Sequence, residues 1–232
     1  MRVLITGSRK GIGLFLVKEF LERGYKVFGC SRGASSLLHP MYTHYTCDVG
    51  SEKQVIKMIR QIGKDSGGID VVINNAGVAS LNHILSTPAD TVDRIFATNF
   101  LGTVLVTRES AKLMMRKKIP GRIINFSTVA APLNLAGEAI YASSKAAVQK
   151  LTQITAKELS PFKITVNCIG PTPIATDLIK AVPKDKLNEL IDSQVIKRVG
   201  EKVDVLNVVD FFASSRSDFI TGQTLYLGGI HD

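Results

Sequence analysis

Tyr141-Ala142-Ser143-Ser144-Lys145 sets a phenol and an ammonium four residues apart. On a helix that spacing puts both side chains on one face. A free tyrosine titrates near ~10 and is a poor proton donor at neutral pH. A neighbouring ammonium stabilises the phenolate and moves the titration toward the working range. Such a pair can protonate a carbonyl oxygen while a cofactor supplies hydride to the carbon. The spacing by itself is common, and two exposed residues of a surface helix account for it equally well.

A second segment with chemistry in it is Thr6-Gly7-Ser8-Arg9-Lys10-Gly11-Ile12-Gly13. It follows a strand-like run and opens a helix-like one. Gly7 permits a tight turn, Gly11 lets backbone approach a pyrophosphate, and Gly13 allows close packing of helix on sheet. The helix amino end then offers N–H donors to the anion. The spacing is not the usual G-x-G-x-x-G. A dinucleotide with a free ribose 2′-hydroxyl calls for a carboxylate after the second strand, whereas a 2′-phosphate calls for cations. Here that strand ends Gly29-Cys30-Ser31-Arg32, without a carboxylate, and Arg9-Lys10 approach from the first loop. Ser31, Arg32, Arg9 and Lys10 predict NADP(H); solvated surface cations are the alternative.

The elements that would hold these groups alternate along the whole chain. Strand-like runs at 3–6, 26–30, 42–47, 70–74, 122–127, 163–169 and 224–227 are dense in Val and Ile without clean alternation, as parallel strands covered on both faces are. Helical patterns fall at 12–22, 51–65, 91–116, 138–159 and 202–213. The order predicts an α/β chain: a single-domain Rossmann fold over 1–232, with a doubly wound seven-stranded parallel sheet and helices on both faces. The connection at 32–41 leaves room for a short crossover helix or none. A longer excursion at 171–200, broken by Pro171, Pro173 and Pro183, is where a substrate lid is expected.

Composition narrows the classes. Of 232 residues, 45% are hydrophobic and 21% charged, which suits a soluble α/β chain. No apolar run is long enough to span a bilayer, and the short run at 1–6 leads straight into the glycine loop, so a cytoplasmic protein is expected. Cys30, Cys47 and Cys168 are odd in number and lie in strand-like runs, as buried hydrophobes do. His39, His44, His83 and His231 lack metal-ligand spacing, so no metal is expected. The net charge of +9 is dispersed apart from Arg9-Lys10 and Arg116-Lys117-Lys118. That favours an anionic cofactor over nucleic acid, which calls for a longer basic stripe.

These motifs together resemble the short-chain dehydrogenase/reductase family over essentially the whole chain. They come in family order: the Gly7/Gly11/Gly13 loop, Asp48-Val49, Asn74-Asn75-Ala76-Gly77, Asn99, the Tyr141/Lys145 pair, and Ile220-Thr221-Gly222-Gln223. The resemblance implies that Tyr141 is the proton donor or acceptor, and that Lys145 lowers its pKa and bonds the nicotinamide ribose. Asn99 would help hold a relay water. Asn75, Ala76 and Gly77 would border the cofactor, Asp48 and Val49 the adenine, and Pro171, Ile174 and Thr176 the nicotinamide side. The family serine that binds the substrate oxygen falls at Thr128, whose hydroxyl has the same donor and acceptors, with Ser127 as the substitute. Two further departures are Pro171-Thr172-Pro173 in place of Pro-Gly, and no aspartate before Gly228-Gly229.

The resemblance is nearest in style to 3-oxoacyl-carrier-protein reductases. It implies a ketone or 3-oxoacyl thioester substrate, with Arg116, Lys117 and Lys118 available to an acidic carrier protein, and a homotetramer or homodimer. Leu81, Asn82, His83, Leu133, Leu135 and Glu138 are pocket candidates. Two other readings stand beside it: an NADP-dependent dehydrogenase of a sugar, polyol or other secondary alcohol, and a catalytically silent NADP(H)-binding sensor or scaffold. Intact Tyr141, Lys145 and Asn99 argue against the last.

Overall fold

The computed structural model describes residues 1–176, 179 and 183–230. Seven parallel strands form one sheet: β1 (Arg2–Thr6), β2 (Lys26–Ser31), β3 (Tyr42–Thr46), β4 (Val71–Asn74), β5 (Arg122–Phe126), β6 (Thr165–Gly170) and β7 (Thr224–Tyr226), in the order β3-β2-β1-β4-β5-β6-β7. Each central strand is buried on both faces, which explains the continuous Val/Ile runs. The chain starts in the middle of the sheet, builds outward to β3, then crosses back past β1 to β4. The crevice at the carboxyl ends of β1 and β4 is therefore the topological switch point, where ligands of such sheets bind.

Helices α1 (Gly11–Glu22) and α8 (Lys202–Ala213) cover one face, around Val3, Ile5, Phe20, Val71 and Phe212. Helices α2 (Glu52–Ser66), α4 (Gly102–Lys117) and α6 (Ala139–Leu159) cover the other, around Leu4, Phe28, Ile62, Val72 and Met114. No helix joins β2 to β3. No helix among the described residues is long and apolar enough to cross a membrane.

Three features depart from the sequence expectation. The helix expected at 91–116 is broken: α3 (Ala89–Phe96) passes through a π-helical turn (Ala97–Leu101) before α4 begins. The extra residue in that turn brings Asn99 inward, where it is wholly buried. The strand expected at 163–169 starts two residues late, because Lys163 takes a left-handed φ of 59° to close a short 3-10 turn. An unforeseen one-turn helix, α5 (Ala130–Leu133), follows β5. In the expected lid, α7 (Lys184–Asp192) is formed; residues 177, 178 and 180–182 of that range lie outside the described residues.

Candidate active site

The glycine loop links β1 to α1. Gly7 has φ +68°, a conformation that L side chains resist. Gly13 is pressed against neighbouring backbone: a Cβ there would collide with the Gly7 carbonyl and lie 2.6 Å from Asn75 Nδ2. Asn75 fastens the loop from β4, its Nδ2 donating to Thr6 O at 2.9 Å and Gly7 O at 3.3 Å. The Ala76 N–H donates to Thr6 Oγ1 at 2.9 Å. A cleft runs over this loop. Gly7, Arg9, Lys10, Gly11 and Ile12 form its floor, and Ser31, Arg32, Asp48 and Val49 form one end. Asn75, Ala76, Gly77 and Thr176 lead toward the other end.

Ser8 is the exception among the loop residues. Its side chain is buried behind the loop, where Oγ donates to Cys30 O at 3.4 Å and accepts from the Tyr42 hydroxyl at 3.2 Å. The tight turn at Gly7 rotates it away from the cleft, so its hydroxyl does not face a ligand there. Asp48 turns its carboxylate to the Gly50 N–H at 3.0 Å.

The cleft continues into a largely apolar pocket that holds Tyr141, Lys145, Thr128 and Ser127. Pro171, Ile174 and Thr176 line the pocket, Thr176 also lining the glycine-loop cleft, with Val129 N–H tied to Pro171 O at 3.2 Å. Lys145 is 4% exposed and donates from Nζ to Phe126 O at 2.8 Å. Burial lowers its pKa to about 8, partly opposed by Cys168. Tyr141 goes the other way. Burial, with the Glu138 carboxylate adding to it, pushes the phenol up to about 12, and its hydrogen bond with Thr128 opposes the rise. The expected depression of the phenol by Lys145 is thus not present in this arrangement, because the ammonium is turned to a backbone carbonyl.

The two candidate hydroxyls separate cleanly. Ser127 Oγ donates to Lys145 O at 3.2 Å and accepts from Gln149 Nε2 at 2.6 Å, so it is occupied within the protein. Thr128 Oγ1 accepts from Ala130 N–H at 3.2 Å and bonds Tyr141, which leaves it facing the phenol. Asn99 braces the site: Oδ1 accepts from Val78 N–H at 2.8 Å, and Nδ2 donates to Val78 O at 2.9 Å and Ser144 Oγ at 3.0 Å. A methyl added at Gly77 would lie 3.4 Å from both Asn99 Oδ1 and Lys145 Nζ, so these three converge.

Of the other pocket candidates, Leu135 and Glu138 line the pocket. Burial holds the Glu138 carboxyl above its ordinary range, with Lys186 of α7 opposing. Leu81 packs over Gly137, and the Asn82 N–H bonds Gly137 O at 2.9 Å. His83 accepts from Leu85 N–H at 3.3 Å in an exposed turn. Gln149, which joins Ser127 to Tyr226 at 2.7 Å, went unpredicted. It lies one helical turn beyond Lys145 on the same face, which is the only signal the chain offers for it. The Arg116–Lys118 cluster proves remote. It ends α4 just before β5 begins, at the amino edge of the sheet, opposite the cleft.

Comparison with known proteins agrees with this layout. A family model described as enoyl-(acyl carrier protein) reductase matches residues 7–231. The 3-oxoacyl-[acyl-carrier-protein] reductase FabG of Staphylococcus epidermidis is 30% identical over 97% of this chain and 96% of its own. Among solved structures, ElxO with NADP bound superposes with a TM-score of 0.89 at 30% identity, over 97% of this chain and 96% of that one. The ligand-free aldohexose dehydrogenase of Thermoplasma acidophilum does so with 0.87 at 30%, over 99% and 93%. The chain belongs to the short-chain dehydrogenase/reductase family and is an oxidoreductase of that family.

Proposed function

We propose that the protein is an NADPH-dependent reductase of a 3-oxoacyl thioester or related ketone, with Tyr141 as its proton donor. The observation that carries this reading is the continuity of the two clefts. One end offers Arg9, Lys10 and Arg32 with no carboxylate after β2, and the other seats Tyr141 and Thr128 together. The cradle suits a dinucleotide: the absence of a Cβ at Gly13 lets α1 start hard against the Gly7 backbone, and Gly7 needs its left-handed backbone. NADPH, when bound there, supplies the hydride. The residues of the chain do the rest. Arg9, Lys10 and Arg32 offer cations to a 2′-phosphate. Thr128 and Tyr141 hydrogen-bond the carbonyl oxygen, which polarises the carbonyl. Tyr141 gives its proton to that oxygen as negative charge develops on it, and Lys145, freed from Phe126 O, stabilises the phenolate left behind.

The walls formed by Val78, Val129, Leu135, Leu187 and Leu190 suit an acyl chain. Glu138 supports a second reading, a dehydrogenase of a polyol or sugar, since its carboxylate can accept a substrate hydroxyl. A homotetramer or homodimer, formed through α4, α6 and β7, is part of the proposal. NADPH consumption measured over a panel of 3-oxoacyl thioesters and ketones tests it. Turnover of thioesters is expected; oxidation of polyols alone favours the second reading, and no turnover with tight cofactor binding refutes both.

A further inference from the structure

The turn that carries Thr128 is pinned from three elements at once. Ser127 follows β5, and its N–H donates to Ile169 O of β6 at 2.7 Å. Its hydroxyl donates to Lys145 O of α6 at 3.2 Å. With that hydrogen placed, Ser127 Oγ has only lone pairs left, and the group facing it must be a donor. Gln149, one turn beyond Lys145, provides it: Nε2 lies 2.6 Å from Ser127 Oγ. The second hydrogen of the same amide goes to the Tyr226 hydroxyl on β7, at 2.7 Å. One amide thus joins α6, the end of β5 and β7.

The far end of this link is firmly seated. Tyr226 is in register with Gly170, the last residue of β6, and a Cβ on Gly170 would collide with the Tyr226 ring. The ring therefore lies against bare backbone, and just beyond it the Leu227 N–H donates to Gly170 O at 3.0 Å. Neither Gln149 nor Tyr226 is among the described residues that line the cleft or the pocket. What Gln149 does for the reaction it must do through Ser127. Ser127 is 4% exposed and Thr128 8%, so a shift in one moves the other within a packed turn. Thr128 is the residue that bonds the Tyr141 phenol, and small errors in such a contact are costly to a reaction. The bonds from Gln149 and to Lys145 O also keep the Ser127 hydroxyl within the protein, which leaves Thr128 to face the phenol.

We infer that Gln149 is a positioning residue for the reduction: by tying Ser127 to Tyr226 it fixes the turn from which Thr128 meets Tyr141. The inference rests on the reading of Tyr141 as proton donor and Thr128 as its partner on the substrate oxygen.

Gln149→Met keeps the length of the side chain and removes both donors. In steady-state reduction of a 3-oxoacyl thioester with NADPH, kcat should fall about three- to tenfold, the worth of one neutral hydrogen bond. The NADPH dissociation constant should stay within about twofold. A merely structural part would lower the urea midpoint and leave kcat of the folded enzyme unchanged. The double variant with Ser127→Ala gives a second readout. Because Gln149 acts through Ser127, kcat of the double variant should fall no further than that of the more damaging single one. Should Gln149→Met fail to fold, Tyr226→Phe removes only the hydroxyl at the far end of the link. It should lower kcat about two- to threefold, with the same non-additivity. An unchanged kcat in the folded variant, losses that multiply in the double variant, or NADPH affinity lost as steeply as kcat would overturn the inference. Wild type that reduces neither thioesters nor ketones would overturn the functional reading first, and the inference with it.

Discussion

Thr128→Val and Ser127→Ala remove two adjacent hydroxyls, and the geometry assigns them different consequences. Valine keeps the shape of threonine but offers no acceptor to the Ala130 N–H, which is 3.2 Å away in a buried turn. That loss should destabilise the fold by about 1–3 kcal/mol. It also deletes the hydroxyl that bonds the Tyr141 phenol. Loss of one donor to a developing oxyanion costs roughly 2.7–4 kcal/mol, or about 10²–10³ in kcat. Ser127 spends its hydrogen on Lys145 O, so Ser127→Ala should lower stability by about 1 kcal/mol and kcat by less than about tenfold. Steady-state reduction of a ketone with NADPH, paired with urea unfolding, separates the two effects, and Thr128→Ser should restore most of the activity. If Ser127→Ala proved the more damaging of the two in kcat, the assignment would be refuted.

Three further outcomes follow from other parts of the site. Lys145 titrates near 10.5 when unfolded and at about 8 in the fold, so the unfolded chain binds more protons between those values and stability rises with pH there. Wild type should gain about 1 kcal/mol relative to Lys145→Met between pH 8 and 9, by chemical unfolding. Gly13→Ala drives a methyl into Gly7 O and Asn75 Nδ2, and should cost about 1–3 kcal/mol of stability together with most dinucleotide affinity, read by calorimetry and fluorescence. Arg32→Asp should weaken NADPH by roughly 10–100-fold, the worth of a charge-assisted hydrogen bond, with little effect on NADH; equal losses would undo the cofactor assignment.

The parts of this architecture that depend on local pattern were readable from the chain. Continuous Val/Ile runs announce strands buried on both faces, and their alternation with helical segments announces a parallel sheet. The parts set by long-range packing were not. The helix at 91–116 reads as one unbroken pattern, and nothing local announces the π turn that brings Asn99 inward to bond Val78 and Ser144. Ser8 reads as a cleft residue by its place in the motif, yet the turn at Gly7 points it at Tyr42. Arg116–Lys118 looks like a docking patch until the direction of α4 puts it at the far edge of the sheet. Lys145 and Tyr141 share a helical face, as their spacing requires, but spacing carries no information about Phe126 O, the carbonyl that takes the ammonium.

The central claim is that Tyr141 supplies the proton in carbonyl reduction by NADPH. The most direct measurement is kcat for Tyr141→Phe beside the NADPH dissociation constant of the same variant. Removing a general acid should lower kcat by about 10²–10⁴, while NADPH binding stays within about twofold, because the phenol is not among the cations that hold the phosphate. A variant that binds NADPH normally and still turns over at near the wild-type rate would contradict the account.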